Sequence, residues 1–209
     1  MKTLVVYSPK GGTGKTTIAR NIAVAAALSG RSVATLDTDP QGTLSSWWGK
    51  RPDDAIPIQH FRVLLKDITS SPEPIDGVDL LVVDTPTAVE AFPQQTEYLL
   101  SIASLVLTPT SATGEDVESV SSAMQHIRSH RRSAAFVLNR IKPRVKESAS
   151  ARRALAGKGE VAPIDLPDLA EVYRTFSLGL GVQELSDTRC AEDFNALWAY
   201  VSDKLWGVS

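Results

Sequence analysis

The chain has 209 residues, 43% of them hydrophobic and 22% charged, and a formal net charge of −2. That balance suits one globular domain spanning 1–209 and excludes disordered, collagen-like and coiled-coil chains. Cys190 is the sole cysteine, so neither an internal disulfide nor a cysteine metal cage is available, and no apolar run reaches bilayer-spanning length.

The opening MKTLVVYSPKGG turns polar too early for a signal peptide, and a cytoplasmic location is expected. In chain order, Thr3–Tyr7 reads as a strand stopped by Ser8-Pro9. Lys15–Leu28 is Ala-rich without a breaker and reads as a helix. Ser32–Leu36, Leu80–Val83, Leu105–Thr108 and Ala134–Leu138 read as buried strands, and Ala162–Leu166 as a weaker one. Between them, helices are expected over Gln94–Ala103, Gly114–Ser129, Ser148–Leu155, Leu169–Phe176 and Ala191–Leu205. The strands are apolar throughout, as when helices cover both faces of a sheet. The expectation is α/β: a mostly parallel, doubly wound sheet with ligands at the carboxyl ends of its strands. Residues 50–78 hold four prolines and read as a surface excursion, and 142–160 as a basic, loop-rich stretch.

Charge is unevenly distributed. Residues 126–159 carry ten lysines and arginines against the single carboxylate of Glu147. An acidic body with one basic segment points to a polyanion partner.

The first strand runs into Lys10-Gly11-Gly12-Thr13-Gly14-Lys15-Thr16-Thr17 at the start of a helix. Three glycines in four positions let the backbone turn tightly and aim its N–H groups inward, beside the positive end of the helix dipole. Lys15 suits β- and γ-phosphates, and the Thr16 hydroxyl suits Mg²⁺. The first glycine of the plain phosphate-loop pattern is replaced by Pro9. Two strands end in carboxylates, at Asp37-Thr38-Asp39-Pro40-Gln41 and at Leu80-Leu81-Val82-Val83-Asp84. Asp37 is a candidate cap for the helix that follows.

Together these boxes resemble the deviant Walker A, P-loop ATPases of the ParA/MinD family. The resemblance implies ATP and Mg²⁺ as cofactors. It implies Gly11, Gly12, Thr13, Gly14, Lys15, Thr16 and Thr17 as the phosphate cradle, with Lys10 reaching the partner subunit's nucleotide in a sandwich dimer. Asp39 would orient the attacking water, and Thr16, Asp39 and Asp84 would attend the metal. Asn139, after Phe136-Val137-Leu138, is similar to the family's adenine-reading asparagine, and Pro167 to its base-side proline. Asp168 stands where the family often has a basic residue. Members of the ParA type bind DNA without sequence preference, so Arg140, Lys142, Arg144, Lys146, Arg152 and Arg153 are candidate duplex contacts, expected to lie away from the phosphates.

The implied function is a weak, partner-stimulated ATP hydrolase that partitions or positions plasmid, chromosomal or other cargo, nucleoid-associated when ATP-bound. With the phosphate loop starting at residue 8, no N-terminal helix-turn-helix domain is expected. A MinD-like membrane-cycling ATPase is the competing reading, resting on Phe194, Leu197, Trp198, Val201 and Leu205 along the last helix. That helix carries too few cations for a membrane surface, and packing on the sheet is the plainer expectation. An ATPase assisting conjugative DNA transfer is a further alternative.

Overall fold

A computed structural model describes residues 1–68, 75–87, 89–142, 146–185 and 190–207, with the Lys146 side chain excepted. Seven strands form one sheet: β1 (Lys2–Val6), β2 (Val33–Asp37), β3 (Gln59–Arg62), β4 (Leu80–Asp84), β5 (Leu105–Thr110), β6 (Ala134–Ile141) and β7 (Glu160–Pro167). Their order is β3-β2-β4-β1-β5-β6-β7, and every pairing is parallel. The helices are α1 (Lys15–Leu28), α2 (Thr43–Trp48), α3 (Pro93–Ile102), α4 (Gly114–Ser129), α5 (Lys146–Ala156), α6 (Ala170–Leu178) and α7 (Ala191–Trp206).

The apolar strands explain the layers. Successive side chains of a strand point to opposite faces. Leu4 and Val6 of β1 thus join one core with α1 and α7, whereas Val5 joins another with α3 and α4. The same alternation splits β6: Ala135 and Val137 face α1 and α7, while Phe136 and Leu138 pack with α4 and α5. Helices thus cover both faces of the sheet, and the cores are mostly aliphatic, with Trp47, Phe194 and Trp198 on the α1 and α7 side and Tyr7 and Phe136 on the other.

Two elements depart from the sequence expectation. The stretch 50–78 contains β3, paired to β2 from Ala34↔Gln59 to Asp37↔Arg62. Its side chains are mostly exposed, as on a sheet edge, so it lacks the apolar run that marks the inner strands. The 142–160 stretch is not chiefly loop, because α5 and the start of β7 occupy most of it.

The apolar face of α7 is already used. Phe194, Leu197, Trp198, Val201 and Leu205 are all buried in the core shared with α1. The plainer expectation of a helix packed on the sheet therefore holds for the described part of α7, and the residues on which the membrane-tail alternative rests are not free. No helix among the described residues is long and apolar enough to cross a membrane.

Candidate nucleotide site

The site assembles at the carboxyl ends of β1, β2, β4, β6 and β7. Gly12 and Gly14 have φ of 75° and 92°, a left-handed backbone that glycine adopts without steric cost. They turn the loop after β1 into α1. A Cβ at Gly14 would lie 2.0 Å from Asn139 Nδ2, so this approach requires glycine. Asn139 fills the space and donates from Nδ2 to the Thr13 carbonyl at 2.7 Å. The phosphate loop is thereby tied to β6.

Lys15, Thr16 and Asp84 converge. Thr16 Oγ1 donates to Asp84 Oδ2 at 2.6 Å, while the buried Asp84 Oδ1 has no hydrogen-bond partner. Burial pushes the Asp84 carboxyl up to about 7; the Thr16 hydrogen bond and Lys15 pull the other way. Burial lowers the pKa of Lys15, and the nearby charges of Asp84 and Asp39 oppose that shift. A buried lysine, an orphaned carboxylate oxygen and a hydroxyl beside it form a donor set that fits a hydrated divalent cation and a polyphosphate.

The cavity has a volume of about 320 Å³ and is lined by Gly12, Gly14, Lys15, Thr16, Thr17, Asp39, Asn139 and Pro167 among others. Of the candidates for the nucleotide and metal, Thr13 and Asp84 are buried behind this cavity and do not line it, and Gly11 and Lys10 line a neighbouring one beside the start of α4. The Lys10 ammonium pairs with Asp116 and lies 3.5 Å from Glu115 Oε2. Hydrogen bonding to Asp116 raises its pKa. Lys10 is thus held within its own chain by α4. Asp37 serves as a cap: its Oδ2 accepts from the Ser45 N–H at 2.8 Å, in the first turn of α2.

The cationic candidates separate. Arg140 was expected away from the phosphates, yet it lines the cavity. Its Nη1 donates to the Gly12 carbonyl at 2.7 Å, and its Nη2 to Tyr173 Oη at 2.9 Å. Tyr173 in turn donates to Asp168 Oδ1 at 2.5 Å. The backbone of Arg140 is left-handed, with φ 57°, which aims the side chain back over the loop. Its place directly after Asn139 was the available signal. Arg152 is engaged by Asp165 and by the Ala162 carbonyl, so it joins α5 to β7. Lys142 and Arg153 are exposed. Arg144 and the side chain of Lys146 lie outside the described residues.

Arg20 is a residue that sequence reading missed. Buried in α1, it donates to Thr175 Oγ1 at 2.8 Å and to the Leu180 carbonyl at 2.9 Å. It thereby fastens α6, which supplies Val172 and Tyr173 to the cavity wall.

A parallel sheet with a glycine-rich strand-to-helix loop, a buried lysine and a carboxylate at the next strand's end defines a phosphate-loop nucleotide-binding protein. Residues 4–181 match the CobQ/CobB/MinD/ParA nucleotide binding domain, and the chain belongs to that family of ATPases. It is 32% identical over 164 residues to the maintenance of carboxysome distribution protein A of Gloeobacter kilaueensis, covering 76% of this chain and 72% of that protein. Among solved structures, the ATP complex of a Cyanothece McdA variant matches with a TM-score of 0.76 at 20% identity, covering 100% of this chain and 97% of that one. The septum site-determining protein MinD of Pyrococcus horikoshii, complexed with Mg-ADP, matches with a TM-score of 0.77 at 16% identity, covering 96% and 95%. At those identities the structural likeness is one of fold, and ATP and Mg²⁺ are ligands found in the family.

Proposed function

We propose that the chain is a small positioning ATPase that places a cargo by cycling between an ATP-bound sandwich dimer and a released monomer. The observation that carries this reading is the convergence of Lys15, Thr16 and the half-orphaned Asp84 on the glycine-rich loop. Lys15 would hold the β- and γ-phosphates, with Gly11 to Thr17 as the cradle. Thr16, Asp39 and Asp84 would hold Mg²⁺, which supplies charge neutralisation on the transferring phosphoryl group. Asp39 would orient the attacking water. Asn139, whose amide both donates and accepts, would read adenine beside Pro167.

Lys10 would leave Asp116 and Glu115 to reach the nucleotide of a second subunit, a cation supplied in trans. The name of the carboxysome distribution relative favours a positioning role over plasmid partition. The uneven charge of the chain supports non-specific duplex DNA as the track, with nucleoid association in the ATP state and hydrolysis stimulated by an adaptor protein. A single domain over 1–209 suffices for this cycle.

The test is the Asp39→Ala variant. Without an oriented water the γ-phosphate persists, so light scattering with ATP and Mg²⁺ should show a dimer that retards two unrelated duplex fragments alike. An ATP-saturated Asp39→Ala protein that stays monomeric would sink the sandwich. A dimer that ignores DNA would redirect the track to a protein or membrane surface.

A further inference from the structure

Strand β3 and Val63, which follows it, supply no residue to the nucleotide cavity, yet they support Asp37 and the loop that carries Asp39 at three points. Arg62 Nη2 donates to the Pro40 carbonyl at 3.0 Å. The Val63 N–H donates to the Asp37 carbonyl at 3.1 Å. The third support is His60, which sits opposite Thr35 in the β2–β3 register.

The His60 ring is fixed on three sides. It stacks on Trp48 with ring centroids 5.2 Å apart and planes 21° from parallel. Trp48 is itself held by a 2.8 Å hydrogen bond from Nε1 to the Ile58 carbonyl. His60 Nδ1 lies 2.9 Å from Thr35 Oγ1, and Nε2 lies 2.9 Å from Ser45 Oγ.

The protons can be placed by inventory. Ser45 Oγ gives its one hydrogen to Asp37 Oδ2 at 2.7 Å, so toward His60 it accepts, and Nε2 carries the ring proton. The Thr35 hydroxyl has one hydrogen for two acceptors, the Gln59 carbonyl at 3.2 Å and Nδ1 at 2.9 Å; burial lowers the His60 pKa, and in the neutral ring the nearer Nδ1 takes that hydrogen. The neutral ring satisfies both contacts.

The relay ends at the catalytic candidate. Asp37 is fully buried. Its Oδ2 takes both the hydroxyl and the N–H of Ser45, and its Oδ1 accepts the Asp39 N–H at 3.1 Å. A carboxylate with three donors has one permitted orientation. Ser45 sets it from one side, and Asp39 is set by it on the other. We propose that His60 is a positioning residue for Asp39, acting through Ser45 and Asp37. This inference rests on the reading of Asp39 as the water-orienting carboxylate.

A purely structural edge histidine would affect folding alone. A positioning residue separates turnover from binding, because the water is aligned in the transition state and ATP is held elsewhere. His60→Ala should lower single-turnover ATP hydrolysis about tenfold while KM for ATP stays within about twofold. His60→Gln, whose amide can reach Ser45 in place of Nε2–H, should recover most of the loss. In the Asp39→Ala background, His60→Ala should leave the lifetime of the ATP-bound dimer unchanged. Thermal unfolding of each variant separates these effects from misfolding. Should His60→Ala fail to fold, Ser45→Ala carries the same expectation, since it removes the hydroxyl but keeps the N–H on Asp37. Unchanged hydrolysis in His60→Ala, or equal losses in the Ala and Gln variants, would overturn the proposal alone. An Asp39→Ala protein that hydrolyses ATP at the parent's rate would instead remove the reading on which it rests.

Discussion

The two ends of β6 carry cations that are close in sequence and unlike in surroundings. At its carboxyl end, Arg140 is bound to Gly12 and Tyr173 over the nucleotide cavity. At its amino end, Arg128, Arg131 and Arg132 precede the strand and Lys158 precedes the neighbouring β7. All four are exposed, and none appears among the described ion pairs. An eight-residue strand separates the two groups by roughly 25 Å. A basic segment that looks continuous along the chain is therefore two surfaces in space. The carboxyl end also collects a buried lysine and a carboxylate oxygen without a partner, while left-handed non-glycine backbone occurs at both ends, at Arg140 and at Arg131. The amino end has exposed charge, which costs little.

Three experiments, with four variants between them, test that contrast. Lys15→Ala should give the largest effect. Losing a buried charged donor to phosphate should weaken ATP at least about a hundredfold by calorimetry. Retained affinity would mean that the carboxyl end is not the nucleotide site.

The second experiment sets the amino end against the carboxyl end. Replacing Arg128, Arg131, Arg132 and Lys158 together by alanine should leave ATP affinity unchanged. If this surface carries the DNA, the slope of log affinity against log salt should become shallower by about 3 to 4. Arg140→Ala with Lys142→Ala should change that slope by about 2 at most and weaken ATP as well. If only the carboxyl-end pair alters DNA binding, the track lies beside the nucleotide.

The third and smallest effect is on stability. The Asp84 carboxyl titrates near 7 in the folded chain against 3.8 for the free group. The folded form therefore holds this proton more tightly than the unfolded form. That advantage is complete below about pH 4 and is lost as pH rises through about 7. In EDTA and without nucleotide, Asp84→Asn should melt several degrees higher than the parent at pH 8 and nearly level with it at pH 4. A parent whose melting point is flat over this range would show that Asp84 carries no such strain.

Much of the inner architecture was legible from the sequence, because the buried strands are short runs dominated by Val, Leu and Ala. The bounds of α1 and α4 agree with the expected Lys15–Leu28 and Gly114–Ser129. The phosphate loop and Asp84 were legible because backbone geometry and carboxylate placement leave local marks. Strand β3 was not. Gln59, His60 and Arg62 face solvent or make polar contacts, so Gln59–Arg62 has no apolar signature, and pairing with β2 decides its conformation. Helix α2 is short and follows Pro40-Gln41-Gly42, which reads as a turn. The partnership of Lys10 with Asp116 joins residues about a hundred positions apart, and nothing local announces it. Arg140 was legible as a cation but not as part of the cavity, because its direction depends on the left-handed backbone at the end of β6.

The contact between Gly14 and Asn139 has a consequence for how the sequence can vary. A methyl group at position 14 would overlap the Asn139 amide, and that amide is what holds the Thr13 carbonyl. Shortening residue 139 to make room would release the loop, and enlarging residue 14 would expel the amide. A change at 139 would relieve only the overlap: at φ 92° any side chain at position 14 is strained whatever stands opposite it. Two independent restraints thus hold glycine at 14, whereas Asn139 is held by the bond it makes to the loop. A library that randomises 14 and 139 jointly should return glycine at 14 whatever it returns at 139.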